Sequence, residues 1–142
     1  MKKSTRKNSD ELFIDTSAFK ALVDPKDEFH SAAVRIWDSL RNKHNRFITT
    51  NYVLDESFTL IRVRCGVQVA DIFRHTLLKS PELSIIRVTI DDEASAWKWF
   101  MNDWNKLSFT DTVSFAVMTR LNIRRVVTFD KHFSRAGFLM VL

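Results

Sequence analysis

Four acidic residues stand where a carboxylate is awkward to place. Asp15 ends the apolar run 12–14 in FIDTS, and Asp130 follows RVVT by one residue in TFDKHF. Glu56 lies in TTNYVLDES, just past the β-branched run RFITT, and Asp111 sits at the end of LSFTD, where a new helical pattern opens. Taken singly, each has a structural explanation. Asp15 suits a helix N-cap, Asp111 the acid of an S-x-x-[DE] box begun by Ser108, Glu56 a solvated helix acid, and Asp130 a turn cap ahead of Lys131. Their joint pattern says more. A partly buried carboxylate is costly without a positive partner, and four that converged would raise one another's pKa values until protons or cations compensated. A divalent cation is the natural compensator. Oxygen donors, with no Cys pair and no closely spaced His pair, select hard ions such as Mg²⁺ or Mn²⁺ over zinc. His30, His44, His75 and His132 show no metal-ligand spacing and are expected at the surface or satisfied by other partners.

For these acids to meet, the chain must bring several strand ends to one edge, because ligands of an open α/β sheet gather beyond the carboxyl ends of its strands. The hydrophobic pattern supplies such strands. The runs LFI, RFITT, SIIRVTI, RVVT and the closing FLMVL read as strands, the last at a sheet edge. Between them lie helical stretches. A short one carries Ala18, Phe19, Leu22 and Val23, and residues 27–43 place Phe29, Ala32, Ala33, Ile36, Trp37 and Leu40 on one face. A third begins at Asn51 and stops at Gly66, and a fourth runs over 67–79 until Pro81 breaks the chain. The acids at 91–93 suit a helix N-terminus, with Ala94, Trp97, Met101 and Trp104 as the buried stripe; Trp99 then points toward a dimer or partner surface. A last long helix over 110–121 turns Val113, Ala116, Val117 and Leu121 to one face. Strands alternating with amphipathic helices predict an α/β fold, its parallel sheet covered on both faces.

Composition narrows the chemistry. With 142 residues, 45% of them hydrophobic, one domain with a real core is expected. Only Gly66 and Gly137 are available, so neither a P-loop nor a G-x-G-x-x-G turn can be written, and phosphate must be met by side chains or metal ions. Cys65 is alone, which excludes an intrachain disulfide. The basic segment 1–11 reads as a flexible tail without a signal-peptide core behind it, and no stretch approaches the roughly 20 apolar residues of a membrane span. A soluble, cytoplasmic protein is expected.

The succession FIDTS, TTNYVLDES, LSFTDTVSFAVM and TFDKHF resembles the PIN-domain nucleases, particularly the VapC-type toxin ribonucleases and their close bacterial relatives, over about residues 12–142. That resemblance implies a three-layer α/β/α domain with a mainly parallel sheet of about five strands. It also implies that Asp15, Glu56, Asp111 and Asp130 are the catalytic and metal-binding acids, with Thr16, Ser17, Ser108, Thr110 and Thr128 as supporting hydroxyls. One or two Mg²⁺ or Mn²⁺ ions would activate a water for in-line attack on an RNA phosphodiester, leaving a 5′-phosphate and a 3′-hydroxyl. The toxins further imply a small antitoxin partner and a homodimer. Asp55 adjoins Glu56, but a helix turns about 100° per residue, so both cannot aim at one site; Glu56 matches the family pattern better.

The charge balance agrees with a polyanionic substrate. Setting the four site acids aside leaves 13 acidic residues against 22 basic, a balance of +9 around an acidic pit. Arg62, Arg64, Arg120, Arg124, Arg125, Lys131 and Arg135 are the candidate RNA contacts as a group. Two other classes stay open. One is a non-catalytic PIN-like module that grips RNA or protein. The other is a phosphatase of the haloacid-dehalogenase type, which wants a second Asp two residues after the first, where this chain has Ser17.

Overall fold

The computed structural model describes residues 10–141. Most of the expected basic tail, residues 1–9, lies outside them. Five strands, β1 (Glu11–Ile14), β2 (Arg46–Thr50), β3 (Leu83–Ile86), β4 (Arg125–Val127) and β5 (Leu139–Val141), form one sheet in the order β3-β2-β1-β4-β5. Every pairing is parallel, with Phe13 opposite Ile48 on one side and Val126 on the other. The helices are α1 (Thr16–Val23), α2 (His30–Arg41), α3 (Asn51–Cys65), α4 (Val67–Leu78), α5 (Ile90–Phe100), α6 (Phe109–Arg120) and the single turn α7 (His132–Arg135).

Chain direction sorts these helices into layers. The path steps outward from β1 to β2 to β3, then returns past β1 to β4 and β5. Right-handed crossovers therefore put α1–α4 on one face and α5–α7 on the other. The packing agrees: α1 lies against α2 and α3, and α3 against α4, while α5 packs on α6 and α6 on α7. This is the three-layer α/β/α sandwich with a five-stranded parallel sheet. Its central strand is apolar on both faces, since Leu12 and Phe13 are both fully buried. The strand order reverses between β1 and β4, which makes their carboxyl ends the topological switch point.

Several expectations need correction. The stripe at Ala94, Trp97 and Met101 on α5 exists but faces solvent, with Trp97 56% and Met101 68% exposed. The buried positions are instead Asp92 and Ala96, with Trp99 packed edge-on against Phe115 at 5.3 Å. A polar anchor sets this rotation. Asp92 closes a capping box with Thr89 and receives Arg120 in two bonds of 2.7 and 2.8 Å, and this draws its side of the helix inward. Helix α6 is buried not on one face but all round, from Asp111 to Met118, as expected of a helix held between layers. Strand β3 stops at Ile86, short of residue 90, because Thr89 becomes the N-cap of α5 and Val88 N–H donates to Asn51 Oδ1 at 2.9 Å.

Candidate active site

Asp15 is the N-cap of α1, placed by the abrupt end of β1; its backbone N–H still donates to Val127 O at 3.2 Å across the sheet. The carboxylate is held from one side. Ser17 Oγ and Thr128 Oγ1 each donate to Asp15 Oδ2 at 2.9 Å. Those hydroxyls are in turn oriented by backbone donors, Phe129 N–H to Ser17 Oγ and Asp130 N–H to Thr128 Oγ1, both at 3.0 Å. Oδ2 is saturated. Oδ1 of the same carboxylate is buried without any hydrogen-bond partner, an arrangement that costs free energy unless something positive meets it. Ser17, where a dehalogenase-type phosphatase wants its second Asp, thus serves to hold the first.

Asp111 arrives from the opposite layer. Ser108 caps α6 by accepting the Asp111 N–H at 3.0 Å, but only this half of the expected box forms, and the Asp111 carboxylate turns to the sheet edge. Its relation to the other acids shows in its protonation. Burial, then the charges of Asp15 and Asp130, push the Asp111 carboxyl up to about 9. Burial also raises Asp15 to about 6, with the hydroxyl bonds pulling downward and the Asp130 charge pushing up. Asp15 after β1, Asp111 on α6 and Asp130 in the turn after β4 therefore lie near enough at the switch point for the charges of Asp15 and Asp130 to act on Asp111.

The fourth acid stands differently. Glu56 is half-buried in the second turn of α3, with no hydrogen bond or ion pair among the described residues, while the adjacent Asp55 is exposed. Of the candidate hydroxyls, Ser17, Thr128 and Ser108 act on the site as above. Thr16 Oγ1 is buried without a partner, and Thr110 is half-buried, giving Ser114 Oγ its backbone carbonyl. Among the basic candidates, Arg62, Arg64, Arg124, Lys131 and Arg135 are exposed and Arg125 is half-buried. Arg120 is already committed to Asp92. The apolar cavity of about 250 Å³ between α1, α2 and α4, lined among others by Phe19, Ile36 and Phe73, includes none of the four acids.

One residue was missed. His132, expected at the surface or tied elsewhere, begins α7 with its side chain only 18% exposed. One donor atom from each of Asp111, Asp130 and His132 lies within 4.8 Å of the others. The D-x-H spacing of Asp130 and His132 was visible, but only the turn into α7 folds the imidazole back onto the carboxylate. The donor set fits a divalent cation, since two carboxylates and an imidazole converge there and burial with like charge raises the Asp111 carboxyl.

Fold and site together define an α/β/α domain whose switch point is built to need positive charge. Residues 12–139 match the PIN domain family, and the chain belongs to it. It is 38% identical over 131 residues to the 23S rRNA-specific endonuclease VapC20 of Mycobacterium tuberculosis, covering 92% of this chain and 97% of that one. The crystal structure of that protein, described as a sarcin-ricin loop cleaving toxin, superposes with a TM-score of 0.83 over 92% of this chain and 98% of the other. A VapC ribonuclease of Archaeoglobus fulgidus is 31% identical over 124 residues, 85% of this chain and 78% of its own length. FitAcB from Neisseria gonorrhoeae, at 14% identity and a TM-score of 0.66 over 92% of this chain and 96% of that one, shares the fold.

Proposed function

We propose that this chain is a VapC-type endoribonuclease, the toxin of a toxin–antitoxin pair, whose single domain over 12–142 hydrolyses RNA phosphodiester bonds with Mg²⁺ or Mn²⁺. The observation that carries the proposal is the buried, unpartnered Asp15 Oδ1 in a carboxylate that acts electrostatically on Asp111, itself grouped with Asp130 and His132. Asp15, Asp111 and Asp130 would hold the cation, with Glu56 reaching in from α3 to complete the set. When bound, the ion lowers the pKa of water and offsets charge building on the phosphoryl oxygens. The chain's own groups do the rest. Ser17 and Thr128 fix the Asp15 carboxylate, and Lys131 and Arg135, exposed on either side of His132, draw the phosphate backbone toward the acids.

The mycobacterial relative is named for 23S rRNA, so a large-subunit rRNA loop is the first substrate to offer. Incubation with ribosomal RNA and Mn²⁺ is expected to yield discrete fragments with 5′-phosphate and 3′-hydroxyl ends. Chelation by EDTA, Asp15→Asn or Asp111→Asn is expected to slow cleavage by at least about 100-fold, because metal stabilisation worth several kcal/mol is lost at tenfold per 1.4 kcal/mol. Cleavage at full rate by both variants, with contamination excluded, would refute the assignment. RNA bound but never cut would leave only a binding module.

A further inference from the structure

The geometry points to His132 as a nitrogen ligand of the cation at this site, giving Asp111, Asp130 and His132 a mixed N/O donor set that favours Mn²⁺ over Mg²⁺. The inference rests on the reading that the acids hold a divalent ion.

The tautomer follows from one contact. His132 Nε2 lies 2.8 Å from Asn105 O, and a carbonyl oxygen can only accept, so Nε2 carries a proton, which leaves Nδ1 as the ring nitrogen able to offer a lone pair to a cation. Nδ1 faces the acids. Nδ1 is buried and makes no hydrogen bond, although Asp130 Oδ1 is 2.8 Å away and Asp111 Oδ2 3.9 Å. Asp130 Oδ1 already accepts the His132 backbone N–H at 2.9 Å. Two carboxylate oxygens beside Nδ1 call for positive charge among them, which a cation bound by all three side chains supplies.

The spacing suits an ion. Bonds of about 2.1 Å in an octahedron put cis donors about 3.0 Å apart and trans donors about 4.2 Å apart, against the observed 2.8 and 3.9 Å. The surroundings suit a ligand as well. Ligating histidines donate their other N–H to a carbonyl or carboxylate that fixes the ring, and Asn105 O does so here. The imidazole also stacks on Trp104 at 6.3 Å and 9°, and Arg135 lies 4.4 Å over that indole. Imidazole suits first-row transition ions, whereas Mg²⁺ takes oxygen donors, hence the preference for Mn²⁺.

Pulsed EPR of the full chain loaded with Mn²⁺ tests this directly. A strongly coupled nitrogen signal is expected, shifted by ¹⁵N-labelled histidine and lost in His132→Asn. Calorimetric titration of His132→Asn is expected to show Mn²⁺ affinity reduced by about tenfold or more, with Mg²⁺ affinity changed far less. Mn²⁺ bound by the wild-type chain without nitrogen coupling overturns the ligand role and leaves the acidic site standing. Failure of the wild-type chain to bind Mn²⁺ overturns both. The wild-type spectrum decides even if the variant does not fold.

Discussion

Asp111 carries the largest conflict in the molecule, a carboxyl 6% exposed and pushed up to about 9 by burial and two like charges. The sign of its effect on stability can be worked out. Asp15 at about 6 and Asp111 at about 9 both bind protons more tightly in the folded chain than at the ordinary 3.8. Folding then gains from protonation below about pH 4, and the gain is lost as pH rises through the folded values, because the unfolded chain releases these protons first. In EDTA the thermal midpoint is expected to fall steadily between pH 5 and pH 9. A saturating divalent cation should flatten that slope, and Asp111→Asn should remove most of it and raise the midpoint at pH 8. A midpoint that rises with pH in EDTA would contradict the account. At Asp15 the neighbouring hydroxyls act as positioning groups, since both of their protons go to Oδ2 and leave Oδ1 without a partner.

Helices α5 and α6 show how a pair of elements can hide its logic from pattern reading. Packing of α5 on α6 is fixed by Arg120, which reaches from the end of α6 to the buried Asp92 in the first turn of α5. The guanidinium lowers the Asp92 pKa, with Thr89 adding to the effect. Arg120→Met would leave that carboxylate uncompensated. Breaking a fully buried pair costs roughly 3–5 kcal/mol, but here water reaches the 41% exposed Arg120 side chain, so a loss of about 2 kcal/mol in urea denaturation is expected. The same variant should retain RNA cleavage in conditions where it stays folded. A large fall in kcat/KM at unchanged stability would instead restore Arg120 to the RNA-binding group. The acids at 91–93 were legible as helix electrostatics, but Asp92 and Glu93 each have a distant partner, Arg120 and Tyr52. Nothing in a helical period marks which acid will be clamped.

Over the whole molecule, α5 carries two apolar faces. Asp92, Ala96 and Trp99 look inward, while Ile90, Ala94, Trp97 and Met101 line an outward stripe on which Ile90 is 83% exposed. Trp97 joins the half-buried Phe100 and Phe109, and Tyr52 packs on Phe109 from α3, so an aromatic cluster runs from the exposed stripe toward the core. Exposed patches of this kind mark interaction surfaces. A second copy of the chain is the expected cover. Light scattering should report a dimer at micromolar concentration, and Trp97→Ser a monomer with unchanged circular dichroism; a wild-type monomer would count against it. No helix among the described residues is long and apolar enough to cross a membrane.

Chain order and hydrophobic period were enough for the five parallel strands, the covering helices and the position of Asp15 and Asp130 at strand ends, because an acid just after an apolar strand can go nowhere but the sheet edge. The facing of α5, the all-round burial of α6 and the inward turn of His132 depended on partners 28, 27 or more residues away, Asp92 with Arg120 and Asn105 with His132 among them. A local period reports which residues share a side of a helix, and it carries no information about which side the rest of the fold will cover.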